Sequence, residues 1–172
     1  MHSASTIASR FSPGPARKRH GFTLVELLVS VVIVSILASV ALPMAELVSQ
    51  RSKEQELRRA LREIREALDA YKQTGDEGKF LRGPGDSGYP HTLEILADGA
   101  PDVKSPTAKK IYFLRRIPRD PFFSDVDVPA AKTWGKRSYA SSADEPKEGD
   151  DIYDVYSRSA GAGLNGISYR EW

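Results

Sequence analysis

The feature that most constrains this chain is a run of apolar residues close to its start. From Phe22 to Met44 the sequence reads FTLVELLVSVVIVSILASVALPM, and Glu26 is the only charged residue in it. As a helix, a run of about 23 residues reaches about 34 Å, enough to cross a hydrocarbon core. Buried helices of soluble domains are seldom apolar on every side over this length. A conventional secretory signal has a shorter apolar region and ends at a small-residue cleavage site, which Pro43-Met44-Ala45 matches poorly. The basic cluster Arg17-Lys18-Arg19 immediately precedes the run. By the positive-inside rule it stays cytoplasmic and the remainder faces outward.

Residues 1 to 20 are rich in Ser, Ala, Pro and Arg and read as extended chain rather than fold. Residues 1 to 21 carry four basic residues and no acid. The whole chain is at +2, so the rest is left at −2. The basic character therefore belongs to the leader, and a clustered nucleic-acid footprint is not expected of the remainder. With no cysteine in 172 residues, disulfides, thiolate metal sites and cysteine nucleophiles are excluded. Of three histidines, His2 and His20 lie in the leader and only His91 lies beyond it. No phosphate-binding loop, dinucleotide fingerprint or nucleophile elbow appears, and nothing assembles a nucleophile with a base.

Pro43 predicts a bend, since it removes a backbone donor and crowds the preceding turn. Beyond it, residues 44 to 73 contain no Gly or Pro and are dominated by helix formers. Leu57, Leu61, Ile64, Leu68 and Tyr71 recur at spacings of three and four, with Ala60 and Ala67 beside them, which predicts one apolar helix face. Glu54, Arg58, Arg62, Glu63 and Glu66 are assigned to the solvated side. Gly75 is the expected end of the helix. Such a helix would span roughly 75 Å from Phe22 to Gln73, far more than a small globular domain needs.

Residues 74 to 172 read as loop-rich. Gly75 to Gly88 form an irregular connection, and Thr92 is placed as the cap of a short helix through Ala97. Lys110–Leu114 is a short extended candidate. Trp134–Ser141, Ile152–Ser157 and Ile167–Trp172 are the better strands. Asn165-Gly166 marks a tight turn into the last of these. The expected fold is α+β: a long N-terminal helix, half membrane-spanning and half amphipathic, packed on a small antiparallel sheet of three or four strands.

The stretch Lys18 to Glu26, KRHGFTLVE, resembles the prepilin processing site of the type IV pilin-like superfamily. The resemblance implies peptidase cleavage after Gly21, N-methylation of the new terminal Phe22, and a filament-assembly role for Glu26, which stays within the membrane helix. Pro43 matches a proline common in that family near the end of the run. Physical reasoning agrees about Glu26: a carboxylate in a membrane helix is costly and is usually functional. The amine of a neighbouring subunit's Phe22 is a natural partner for it. The implied organisation is a cleaved leader over 1–21, a transmembrane and filament-core helix over 22–44, and a periplasmic head over 45–172.

Within the superfamily, Tyr89-Pro90 with Thr92-Leu93, then Leu114 to Phe122 (LRRIPRDPF), resembles the major pseudopilins of type II secretion systems, whose pattern runs Tyr-Pro-Thr-Thr and then Leu-x-x-x-Pro-x-Asp-Pro-Trp. Asp154-Val155-Tyr156-Ser157 is similar to their Asp-x-Phe-Ser strand. The chain departs from that pattern in a longer Thr74–Gly88 connection and in extra residues between Phe122 and Trp134. The family's last loop carries aspartates that bind calcium, whereas Ser159 to Gly163 contain no acid here. No cofactor is expected, with calcium in the C-terminal loops left open. Asp150, Asp151 and Asp154 offer oxygen ligands without a specific spacing and are read as a solvated turn.

The resemblance implies a non-catalytic subunit, single-pass in the bacterial inner membrane with a cytoplasmic leader and periplasmic head, later part of a periplasmic filament. Its implied partners are a prepilin peptidase and methyltransferase, copies of itself and other pseudopilins, and an inner-membrane assembly platform. No nucleic acid is expected. Two alternatives stay open. One is a type IV pilin or minor pilin for adhesion, motility or DNA uptake, although many of those staple a C-terminal loop with a disulfide. The other is an uncleaved bitopic membrane protein with a periplasmic binding head.

Overall fold

A computed structural model describes residues 21 to 172 except Ala108, and the side chains of residues 40–43 lie outside the described set. The leader over 1–21, apart from Gly21, and a bend set by the Pro43 ring therefore fall outside the described residues. The element order is α1 (Leu24–Asp76), α2 (Glu94–Asp98), β1 (Ala100–Pro101), β2 (Lys110–Ile111), a 3-10 turn at Ala130–Lys132, β3 (Trp134–Arg137), β4 (Asp154–Ser157) and a second 3-10 turn at Tyr169–Glu171. The fold is α+β and pilin-like, a long N-terminal helix with small antiparallel sheets. Contacts divide the chain into two units at Pro43 and Met44.

In the first unit, Thr23 opens α1. Its hydroxyl accepts the Glu26 N–H at 3.2 Å, and its carbonyl accepts the Leu27 N–H at 3.1 Å. This is the N-cap arrangement that satisfies donors left free at a helix start. An acid three residues after the cap sits favourably in the positive end of the helix dipole. Farther along, the hydroxyls of Ser30, Ser35 and Ser39 donate back to the carbonyls of Glu26, Val31 and Ile36. These serines thereby meet their hydrogen-bonding needs within the helix and leave its surface apolar.

In the second unit, α1 supplies the main core face. Leu57, Ala60, Leu61, Ile64, Ala67 and Leu68 are buried, and Tyr71 packs at the edge of the same cluster. Leu93 and Leu96 from the α2 region, Leu114, Trp134, Ile152 and Val155 complete it. The expected apolar stripe is present, but it begins one step earlier. Glu54, assigned to the solvated side, is buried at 8% exposure. It lies three residues before Leu57, in register with the stripe.

The sheet is smaller than expected. β1 pairs with β2, and β3 pairs with β4, as two separate two-stranded antiparallel ribbons. β3 stops at Arg137 because Ser138 turns its N–H to the Lys147 carbonyl and the chain then bends back at Ser141. Ile152 and Tyr153 lie outside β4. The Ile152 N–H goes instead to the carbonyl of Pro90.

The largest correction concerns Ile167–Trp172. Asn165-Gly166 does reverse the chain, with Gly166 at φ 79° and Gly163 donating to Ile167. Only one bridge follows, Ala162 with Ser168. The Ser168 side chain then caps a 3-10 turn by accepting from the Arg170 N–H. That turn carries Tyr169 inward, where it is buried, rather than alternating as a strand would. Two smaller corrections are local. Leu93 rather than Thr92 stands at the N-cap of α2, with no side-chain cap. Helix α1 runs one residue past Gly75 to Asp76, and the left-handed turn falls at Gly78 with φ 73°. Gly135 is required by packing, because a Cβ there would lie 2.2 Å from the Tyr156 ring.

Candidate functional site

The residues singled out for processing and assembly cluster at the start of α1. Gly21 and Phe22 precede the helix in irregular backbone. A Cβ added at Gly21 would meet nothing within 4 Å, so glycine there answers no packing demand within the described chain. Phe22 is 81% exposed. Glu26 follows in the first turn, also exposed, and no ion pair holds its carboxylate among the described residues. Thr23 ties these positions together through its hydrogen bond to the Glu26 N–H.

Behind them runs an apolar surface with no intramolecular cover. Leu24, Val25, Leu27, Leu28, Val29 and the residues through Leu37 are all exposed, from 52% at Val29 and Ile33 upward. The helix is long and apolar enough to cross a membrane, and none of its most apolar stretch is buried. Exposed apolar area of this extent marks a surface that belongs against lipid or protein.

The head contains a different kind of polar chemistry, committed to structure. Asp154 accepts from Arg65 Nε at 2.7 Å and from Arg137 Nη2 at 3.0 Å. Asp151 accepts from the Tyr139 N–H at 3.0 Å and from the Ser87 hydroxyl. Asp150, Asp151 and Asp154, adjacent in sequence, therefore do not converge. Among the described residues, no three acidic or histidine side chains are placed to share a metal ion. Asp120, buried at 1% exposure, accepts from the Ser157 hydroxyl at 2.7 Å and the Phe122 N–H at 2.8 Å.

One anchoring group escaped the sequence reading. A single Glu54 oxygen, Oε1, accepts from the Leu164 N–H at 2.8 Å, the Tyr169 hydroxyl at 3.0 Å and the Gln50 amide at 3.2 Å. A helix carboxylate thereby fixes the acid-free loop between Ser159 and Ile167. Burial pushes the Tyr169 hydroxyl above its ordinary pKa, and the bond to Glu54 pushes in the same direction. The available signal was the spacing of Glu54 to Leu57.

Residues 16–42 match the family described as the prokaryotic N-terminal methylation motif. The chain is 26% identical over 144 residues to type II secretion system core protein G of Klebsiella pneumoniae, covering 79% of this chain and 94% of that protein. It is 28% identical over 142 residues to the protein of the same name from Klebsiella michiganensis, covering 79% of this chain and 92% of that one. No solved structure matches it significantly. The chain thus carries the methylation motif of type IV pilin-like proteins and is similar to core protein G over most of its length.

Proposed function

We propose that this pilin-like chain is a structural pseudopilin subunit of a type II secretion system, processed after Gly21 and built into a periplasmic filament. The observation that carries the reading is an apolar helix surface, uncovered from Phe22 to Leu37, whose only charge is the carboxylate of Glu26. In the membrane, lipid covers that surface. In the filament, the same helices from other copies cover it, so one surface serves storage and assembly. The head, from about residue 45, decorates the filament. The work on an exported protein comes from filament growth rather than from chemistry on this chain.

Glu26 supplies what apolar contacts lack. Apolar helix surfaces slide past one another with little preference for register. A carboxylate in a low-dielectric stack accepts few partners, and the methylated amine of Phe22 in the next copy is a fitting one. Pairing them sets the axial offset. The test has two parts. Intact mass of protein extracted from membranes should correspond to a chain beginning at Phe22 with a methylated amine; a chain beginning at Met1 would point to an uncleaved bitopic protein. Glu26→Gln preserves size and the Thr23 cap while removing charge. It should insert and be cleaved normally but assemble poorly. Wild-type assembly by Glu26→Gln would overturn the ion pair and leave the subunit assignment standing.

A further inference from the structure

We infer that consecutive heads in the filament dock by charge: the loop Asp144–Asp151 of one copy sits against an arginine-rich groove of the next. This rests on the filament reading above. The groove, of about 480 Å³, lies between α1 and the segment 116–119. Arg59, Arg116 and Arg119 line it over Ile117 and Pro118, with Glu56 and Glu63 also on its wall. Arg115 is exposed beside it. The loop carries five acids, Asp144, Glu145, Glu148, Asp150 and Asp151, against one base, Lys147.

Each surface is left unbalanced within the chain. Among the described residues, no ion pair within 4.0 Å is made by Arg59, Arg115 or Arg116, nor by Asp144, Glu148 or Asp150. The Arg119 guanidinium reaches only the backbone carbonyls of Val128 and Asp125, which leaves its charge uncancelled. Like charges gathered on a surface repel. An acidic segment from outside removes that repulsion and adds attraction.

The placement of the two surfaces decides what kind of partner fits. The acidic loop adjoins Arg170 and Glu171. Glu171 in turn borders the groove formed with Arg58, Arg62 and Arg65 on one flank of α1. The groove with Arg59 uses the Glu56, Ala60 and Glu63 side of the same helix. The loop and its complementary groove thus lie on different flanks. A chain cannot satisfy itself this way, so a second copy supplies the loop. Head-to-tail contact between unlike surfaces propagates into an open helical array, which is what a filament subunit requires.

The chain has no cysteine, so introduced thiols report on this contact alone. Full-length protein carrying both Arg116→Cys and Glu148→Cys, treated with a short bis-maleimide in assembled filaments, should give a ladder of multimers. Each single-cysteine variant should remain monomeric, since the contact joins unlike surfaces. In parallel, Arg59→Glu with Arg116→Glu should lower filament yield about tenfold, as loss of rim attraction plus new repulsion implies. Adding Asp144→Lys and Glu148→Lys to the same chain should restore it. A double-cysteine chain that stays monomeric while unaltered protein forms filaments overturns the docking and spares the filament reading. Absence of filaments from the unaltered protein overturns both. Cross-linked dimers from the Arg116→Cys chain alone overturn the head-to-tail arrangement. Failure of the charge swap to restore yield, together with lost sedimentation of the Glu variant on anionic phospholipid vesicles, reassigns the groove to a membrane surface and overturns the docking.

Discussion

The two halves of α1 are one continuous helix and have opposite relations to the rest of the chain. Between Leu24 and Leu37 every large apolar side chain is exposed. Between Glu54 and Leu68 the apolar side chains are buried on one face, while Arg58, Arg59, Arg62, Glu63 and Glu66 occupy the other. Periodicity makes the difference. A helix apolar all round has no solvated face and must find its cover outside the chain, whereas a striped helix can be completed by its own head. The first half thus leaves its apolar surface to a partner outside the chain, and the second half folds the head.

This contrast predicts its largest effect at the stripe. Ile64→Ala, or Leu61→Ala, should cost about 2 to 5 kcal/mol of head stability, through lost burial and an unfilled cavity. The paired change Ile33→Ala should leave that stability unchanged. Urea unfolding of the full chain in detergent, followed by the fluorescence of Trp134 and Trp172, measures both. An equal effect from the two substitutions would break the contrast.

The next effect belongs to the other half. Val32→Lys places a charge in the middle of the apolar run and should cost about 3 kcal/mol of membrane insertion. Carbonate extraction of membranes would then release the protein, while its head unfolds in urea as wild type does. A smaller effect separates charge from geometry at Glu54. Glu54→Ala removes the acceptor for three donors and should cost about 1 to 3 kcal/mol. All three bonds converge on Oε1, so Glu54→Gln can keep that acceptor and should cost less than about 1 kcal/mol. Equal losses for Ala and Gln would mean that the carboxylate charge, rather than its hydrogen bonds, holds the Ser159–Ile167 loop.

Much of this architecture is legible in the sequence because it rests on period and composition. The apolar run, the stripe from Leu57 to Tyr71 and the turn at Asn165-Gly166 all come from local patterns. What sequence reading misses is settled by long-range partners. Glu54 looks like a surface acid until Leu164, Tyr169 and Gln50 are brought to it. Ile167–Trp172 alternates like a strand, yet Ser168 caps a turn there and Tyr169 stacks on Phe122 at 4.1 Å. Trp172 lies beneath the Arg58 guanidinium, 4.2 Å from its ring centre. Asp150, Asp151 and Asp154 look like one cluster in sequence, but Arg65, Arg137 and Tyr139 draw two of them apart. At Gly21, Phe22 and Glu26 the fold imposes no packing demand that reading could have detected. Their meaning comes from motif and from the cost of a carboxylate in an apolar run.

The smallest expected effect sharpens the contrast through pH. Tyr71, Tyr89 and Tyr169 all belong to the head, and burial raises the pKa of each above the ordinary value of 10.0. A nearby carboxylate adds to the shift in each case: Asp86 at Tyr71, Asp69 at Tyr89 and Glu54 at Tyr169. A raised folded-state pKa means that the native head holds these protons more tightly than the unfolded chain does. Below about pH 10 the hydroxyls are protonated in both states, and their stabilising contribution is complete. As pH rises past the unfolded value, the unfolded chain gives up protons first and stability falls until the native hydroxyls titrate as well. Urea midpoints should therefore hold level from neutral pH to about pH 9 and decline above about pH 10. Tyr169→Phe should make that decline shallower. The run from Phe22 to Leu37 contains no tyrosine, so the membrane partition of the full chain should stay constant over the same range. A decline of equal steepness in the Tyr169→Phe chain would show that Tyr169 does not contribute to it and would leave Tyr71 and Tyr89 as its source.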